Sequence, residues 1–259
     1  MTEGKRIVID AGHGGADSGA SFQGRKEKDD TLRLALAVGN RLSQMGQQVG
    51  YTRVFDISHT PYDRVQMANN ADADYFISIH RNMAPVPGTA SGSASLVYSN
   101  RCVPAMLAAN INPQMEAAGF INLGTFEQPG LILLRGTKMP AIVLEVGFID
   151  NPADNQIFDQ NFDQLAAGIA QGILNTIEQE SLPPEYYQIQ VAAYRDQAMA
   201  GQLAERLRHQ NLPAFIIARD GWFKVRVGAF LNVDNAARME QLLRNMGYET
   251  YMVREAEVR

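Results

Sequence analysis

Short apolar runs that stop abruptly at polar residues dominate the first two thirds of the chain. Ile7–Ile9 is β-branched and ends at Asp10, followed by the small residues Ala11, Gly12, Gly14 and Gly15 around His13. Tyr75–Ile79 ends at His80 and Asn82, and Ala141–Leu144 ends at Glu145. Runs this short and this apolar read as buried strands. Between them the spacing changes. Leu32, Leu36, Gly39 and Leu42 recur at helical intervals after the acidic start Asp29-Asp30-Thr31, and Gly46 suits the stop. Gln48–Arg53 reads as a short strand, and Pro61 opens a helix that runs to Asn70. A loop rich in Pro, Gly and Ser spans Asn82–Gly92, followed by a strand over Ala94–Tyr98. Pro104–Ala118 reads as a helix kinked or broken at Pro113, Leu131–Leu134 as a strand, and Phe162–Gln179 as a closing amphipathic helix. Strands alternating with helices predict a three-layer α/β/α domain around a mixed, twisted sheet.

The pattern changes near residue 181. Ser181-Leu182-Pro183-Pro184-Glu185 reads as an extended linker. Beyond it the sequence repeats at an offset of 36 residues: Ile189–Tyr194 matches Val225–Phe230, Leu203 matches Met239, Leu207 matches Leu243 and Phe215 matches Tyr251. Each half reads strand, helix, strand, with Asp220-Gly221 as the hairpin turn between them. This predicts a small α+β domain of βαβ–βαβ form, with one antiparallel sheet and both helices on one face. The expected organisation is a domain over 1–180, a linker over 181–185 and a domain over 186–259. Alternation places Ile189, Val191, Val225 and Val227 under the helices. Gln188, Gln190, Lys224 and Arg226 then face the open side, with Trp222 near its edge. Such a face suits sugars, or it is an ordinary solvated surface.

Composition narrows the function classes. At 46% hydrophobic and 20% charged, the 259 residues are those of an ordinary globular protein. The net charge of -5 argues against nucleic acid as a partner. Residues 181–259 carry 10 basic against 9 acidic residues and the rest 13 against 19, so the acidity lies in the larger part. One cysteine, Cys102, rules out an internal disulfide and reads as a buried or half-buried filler. No stretch has the apolarity of a membrane span, and the chain enters its first strand at once, without a signal peptide. The expected location is the cytosol until lysis or export, unless a leader has been removed.

The residues at the strand ends suggest metal chemistry. Zinc accepts a mixture of histidine nitrogen and carboxylate oxygen, and a catalytic site uses three protein ligands. His13, Glu27 and His80 form a candidate set. Taken alone, Glu27 lies in the charged run 26–30 and reads as a solvated loop or helix cap. A separate carboxylate must take and return protons, a role that fits Glu145. Asp10 and Asn82 are candidate supporting groups, Asp10 either orienting the turn or accepting from His13. His59 and His209 read as surface residues. These residues alone leave open a zinc amidohydrolase or peptidase, or a non-catalytic binding or hydrolase-activating protein on the same fold.

Several motifs resemble one family in its own order. They are Asp10-Ala11-Gly12-His13-Gly14-Gly15, Glu27-Lys28-Asp29, Thr52-Arg53, Ser78-Ile79-His80-Arg81-Asn82 and Leu144–Asn151. Residues 5–178 thereby resemble the zinc-dependent N-acetylmuramoyl-L-alanine amidases of the Amidase_3 family. The resemblance implies one zinc on His13, Glu27 and His80, with Glu145 as the catalytic carboxylate. The implied substrate is the amide between N-acetylmuramic acid and L-alanine in peptidoglycan. Arg81 departs from the small residue common at its position. Residues 186–253, with Gln190 in the first strand, are similar to a SPOR domain, which implies binding to glycan strands stripped of stem peptides. The pairing resembles amidases of mother-cell lysis in sporulation.

Overall fold

In the first unit, successive strand residues alternate between two apolar layers, which is why these strands are apolar throughout. The computed structural model describes residues 4–181 and 185–256. The chain divides into two units, residues 1–181 and 182–259. Residues 182–184 of the expected linker lie outside the described residues.

The first unit runs β1 (Arg6–Ala11), β2 (Ser21–Phe22), β3 (Arg25–Lys26), α1 (Glu27–Gln44), β4 (Gln48–Tyr51), α2 (Pro61–Asn70), β5 (Tyr75–Asn82), β6 (Ser93–Val97), α3 (Cys102–Ala117), β7 (Asn122–Glu127), α4 (Ile132–Arg135), β8 (Ala141–Phe148), α5 (Pro152–Gln160) and α6 (Phe162–Ser181). Six strands form one sheet in the order β4-β1-β5-β8-β6-β7. The first four are mutually parallel; β6 runs antiparallel to β8 and parallel to β7. Ile7, Ile9, Ile77, Ile79, Ile142 and Leu144 pack with Leu34 and Val38 of α1, Leu107 and Ile111 of α3, and Leu165 and Ile169 of α6. On the opposite face Val8, Phe76 and Val143 pack with Val65 of α2 and Leu134 of α4. The expected three layers are present. The C-terminal ends of β1, β5 and β8 share one edge, where open α/β sheets bind ligands.

Several local expectations are corrected. Leu131–Leu134 does not form a strand; α4 covers most of it, and Leu133 and Leu134 are buried in the second apolar layer. Helix α3 continues through Pro113, held by buried Ile111 and Met115 and by Asn112, whose amide bonds Ser95 and Thr125. Tertiary packing there outweighs the lost backbone bond. β5 and β8 extend past their apolar runs, so His80 and Glu145 lie within strands. Cys102 is exposed, at a positive φ of 53°, because it opens α3 from a loop.

The second unit runs β9 (Tyr186–Tyr194), α7 (Gln197–His209), β10 (Ala214–Arg219), β11 (Trp222–Phe230), α8 (Val233–Asn245) and β12 (Tyr251–Glu255). Its sheet is antiparallel throughout, in the order β10-β11-β9-β12. Asp196 and Asn232 cap the two helices at equivalent points of the repeat. Ile189, Val225 and Val227 pack against Ala200, Leu203 and Leu207 of α7 and Ala236 and Leu243 of α8, which puts both helices on one face. Asp220 and Gly221 both have positive φ, as a tight hairpin turn requires. The opposite face is less open than the alternation implies. Gln188 and Arg226 are buried. The Arg226 guanidinium is occupied by both carboxylate oxygens of Glu255, at 2.8 and 3.0 Å, and by Gln188 Oε1 at 2.9 Å. Gln190 and Lys224 are half-buried, and Trp222 is exposed with the Arg195 guanidinium 4.1 Å from its ring centre.

Candidate metal and catalytic site

At the shared edge the chain leaves β1 through a tight turn. His13 itself takes a positive φ of 62°, a conformation that non-glycine residues adopt only when their surroundings impose it. Those surroundings are two buried arginines. Arg53 donates to the carbonyls of Ala11 and Gly12, both at 3.0 Å, and Arg64 to those of Ala11 at 3.2 Å and His13 at 2.9 Å. Asp10 does not accept from His13. It accepts from Thr52 and Ser78, each at 2.6 Å, and lies 3.6 Å from Arg64, so it supports the turn through that arginine. The carboxylate on the imidazole is Asp17, whose Oδ2 lies 2.9 Å from His13 Nδ1 and whose Oδ1 accepts from the Gly19 N–H. The sequence reading missed Asp17. Its spacing four residues after His13 within a glycine-rich loop was the available signal.

Glu27 is the first residue of α1 and is buried, not part of a solvated run. Its Oε2 lies 3.1 Å from His13 Nε2 and its Oε1 2.9 Å from His80 Nδ1. The backbone N–H groups of Ala20 and Arg81 also donate to it, at 2.9 and 3.0 Å. One candidate ligand atom from each of His13, Glu27 and His80 lies within 4.8 Å of the others. Two glycines make room for this. A Cβ on Gly12 would stand 2.5–2.7 Å from the His80 ring, and one on Gly19 would stand 2.5 Å from the His13 ring and 2.6 Å from Glu27 Oε2.

The electrostatics match the geometry. Burial alone would raise the Glu27 carboxyl pKa, but hydrogen bonds from His13 and His80 prevail and hold it far below the ordinary carboxylate range. Burial opposes charge on both imidazoles, yet Glu27 raises each of them. The negative charge that favours protons on the two rings would also attract a metal cation, which binds the neutral rings in competition with those protons. Among the described residues the buried His80 Nε2 has no hydrogen-bond partner, so they leave the ring not fully satisfied. This donor set and its negative field suit a divalent cation of borderline softness.

Glu145 faces His80 across the β5–β8 pair. It is half-buried, and burial raises its pKa, with Glu27 adding to the rise and the histidines opposing it. The Asn82 side chain accepts from the Met83 N–H at 2.8 Å. Beyond it, the buried Asp150 and Asp154 fix the loop at residues 83–92. Asp150 accepts from the Ala84 and Gly88 N–H groups, and Asp154 from Ser91 and the Gly92 N–H.

Both units match known families. Residues 7–175 match the family model for N-acetylmuramoyl-L-alanine amidase, and residues 183–254 match that for the SPOR domain. The chain is 33% identical over 221 residues to N-acetylmuramoyl-L-alanine amidase CwlM of Bacillus licheniformis, covering 83% of this chain and 85% of that protein. It is 32% identical to the sporulation-specific N-acetylmuramoyl-L-alanine amidase of Bacillus subtilis, with the same coverage of 83% and 85%. Among solved structures, the N-acetylmuramoyl-L-alanine amidase of Clostridium difficile 630 superposes with a TM-score of 0.65 at 32% identity, covering 70% of this chain and 100% of that one.

Proposed function

We propose that this chain, which belongs to the Amidase_3 family of N-acetylmuramoyl-L-alanine amidases, holds zinc on His13, Glu27 and His80 and uses Glu145 for proton transfer. It is a peptidoglycan amidase, and its SPOR domain targets it to cell-wall glycan. The observation that carries the zinc assignment is the buried, unpartnered His80 Nε2 in a ring that already shares Glu27 with His13. Zinc bound there would polarise the amide carbonyl and lower the pKa of coordinated water from 15.7 to about 7.

The protein's own groups supply the rest. Asp17 fixes the His13 ring through Nδ1 and leaves Nε2 directed at Glu27. Glu145 stands beside His80 on the neighbouring strand, and no described side chain hydrogen-bonds its carboxylate. Its raised pKa brings it closer to neutrality, which suits a group that takes a proton from water and returns it to the leaving amine. The non-catalytic alternative is disfavoured because all four groups converge at one edge. We assign the amide between N-acetylmuramic acid and L-alanine as the bond cut. A role in mother-cell lysis during sporulation is supported by the similarity to a sporulation-specific amidase. Among the described residues no helix is long and apolar enough to cross a membrane.

Digestion of purified sacculi followed by mass spectrometry tests this reading. The expected products carry new L-alanine amino termini without new reducing sugars. New reducing ends without free alanine termini would contradict it.

A further inference from the structure

A buried arginine directly follows His80 in sequence, and its contacts run back to Glu27. The Arg81 side chain is fully buried. Its Nη1 lies 2.5 Å from Asp30 Oδ2, its Nη2 2.8 Å from Asn155 Oδ1 and its Nε 3.4 Å from the Gly147 carbonyl. The guanidinium carbon stands 4.4 Å from the centre of the Phe158 ring. Arg25 completes the cluster. Its Nε donates to the same Asp30 oxygen at 2.7 Å, and its Nη atoms hold Asp159 at 2.8 and 2.9 Å. Thus α5, through Asn155, Phe158 and Asp159, braces two arginines that converge on Asp30.

Asp30 lies one turn after Glu27 on α1. That helix begins without a side-chain cap; the N–H groups of Glu27 and Lys28 instead reach the carbonyls of Ala20 and Ser18 in the preceding loop. The first turn is therefore positioned from outside, and Asp30 is the side chain through which Arg81 reaches it. Arg81 also acts on Glu27 directly, since its backbone N–H donates to Glu27 Oε1 at 3.0 Å.

We propose that Arg81 is a positioning residue for the metal site, locking the first turn of α1 through Asp30 so that the Glu27 carboxylate stays between His13 and His80. This rests on the reading of His13, Glu27 and His80 as the zinc ligands. Removing the guanidinium should loosen the metal while leaving every ligand in place. Partners that orient a ligand typically cost about 10–100-fold in metal affinity when lost.

The test measures zinc dissociation constants by chelator competition on the full chain, for the parent, Arg81→Met, Arg81→Met with Asp30→Asn, and Arg81→Lys. Visible spectra of the cobalt-loaded proteins and melting of the metal-free proteins accompany it. The double variant guards against misfolding, because it removes the Asp30 charge that Arg25 alone would otherwise have to balance. Arg81→Met and the double variant should bind zinc about 10–100-fold more weakly, with shifted cobalt bands, at temperatures well below either melt. Arg81→Lys should recover part of the affinity, because it keeps a cation against Asp30. A double variant with parental affinity and spectrum would overturn the proposal, whatever its melting temperature, since support of the fold alone moves only the melt. A parent chain that binds no zinc would instead overturn the ligand assignment itself.

Discussion

His80 and Glu145 are direct partners on adjacent parallel strands, so β5 and β8 present an imidazole and a carboxylate side by side. Paired residues share a face of the sheet, and the pair lies where β1 delivers His13. Each member is tuned by its surroundings. The negative charge of Glu145 helps to raise the His80 pKa, and burial raises that of Glu145.

The Asp17–His13 contact predicts a metal phenotype for a residue that is not a ligand. Asp17→Asn keeps the size of the side chain and weakens its hold on His13 Nδ1. Zinc affinity should fall by about 10–100-fold, with little change in the melting of the metal-free protein. Equilibrium dialysis against zinc buffers checks this.

Gly12→Ala should disturb the same site by crowding. The added methyl carbon would stand within 2.5–2.7 Å of three His80 ring atoms. The ring or the strand end must move, and overpacking of this kind costs about 1–3 kcal/mol. A lower thermal midpoint and a zinc content well below one per chain are expected. Calorimetry and metal analysis measure the two effects separately.

The parts legible in the sequence were those set by local pattern. The apolar runs at Ile7, Tyr75 and Ala141 located the central strands, and the repeat after residue 186 gave the strand–helix order of the second unit. Features that depend on distant partners were not legible. Leu131–Leu134 is as apolar as a strand, and the layer over Phe76 and Val143 decides that it packs as α4. Helix α5 is short and polar, and its purpose emerges only when Asn155 and Phe158 meet Arg81. Alternation put Gln188 and Arg226 on the expected side, but could not show that Glu255 would occupy Arg226. At the candidate metal site, residue type pointed to His13, Glu27 and His80, while the choice of Asp17 over Asp10 as the carboxylate on His13 required the turn itself.

The Glu255–Arg226 pair predicts how the second unit responds to acid. The hydrogen bond from Arg226 holds the Glu255 carboxyl below its ordinary value of 4.5. A carboxyl depressed in the folded state contributes its full stability above about pH 4.5, and loses it as pH falls through the depressed value. Glu255→Gln should lower stability at neutral pH and flatten this acid dependence. Its cost should stay below the about 3–5 kcal/mol of a fully buried broken pair, because Glu255 is partly exposed. The only tryptophan, Trp222, lies in this unit, so its fluorescence in urea titrations at several pH values follows the transition.

Separation of the units should separate soluble from insoluble substrate. Residues 1–181 contain His13, Glu27, His80 and Glu145. Alone, they should hydrolyse soluble muropeptides at near the parental rate. Against intact sacculi they should lose much more, because a tethered glycan-binding unit raises the local concentration of the enzyme. Equal losses on both substrates would point to a structural role for residues 182–259.

The contrast between two glutamates tests the catalytic assignment most directly. Zinc content and turnover should be measured together in Glu145→Gln and Glu27→Gln. Glu145→Gln keeps the shape of the side chain but cannot take up a proton, so zinc should stay near one per chain while kcat falls by about 10²–10⁴-fold. Glu27→Gln replaces the carboxylate between His13 and His80 with a neutral amide, and zinc itself should be lost along with activity. Zinc lost from Glu145→Gln but retained in Glu27→Gln would mean the roles are reversed, and unimpaired turnover in Glu145→Gln would remove that residue from the chemistry.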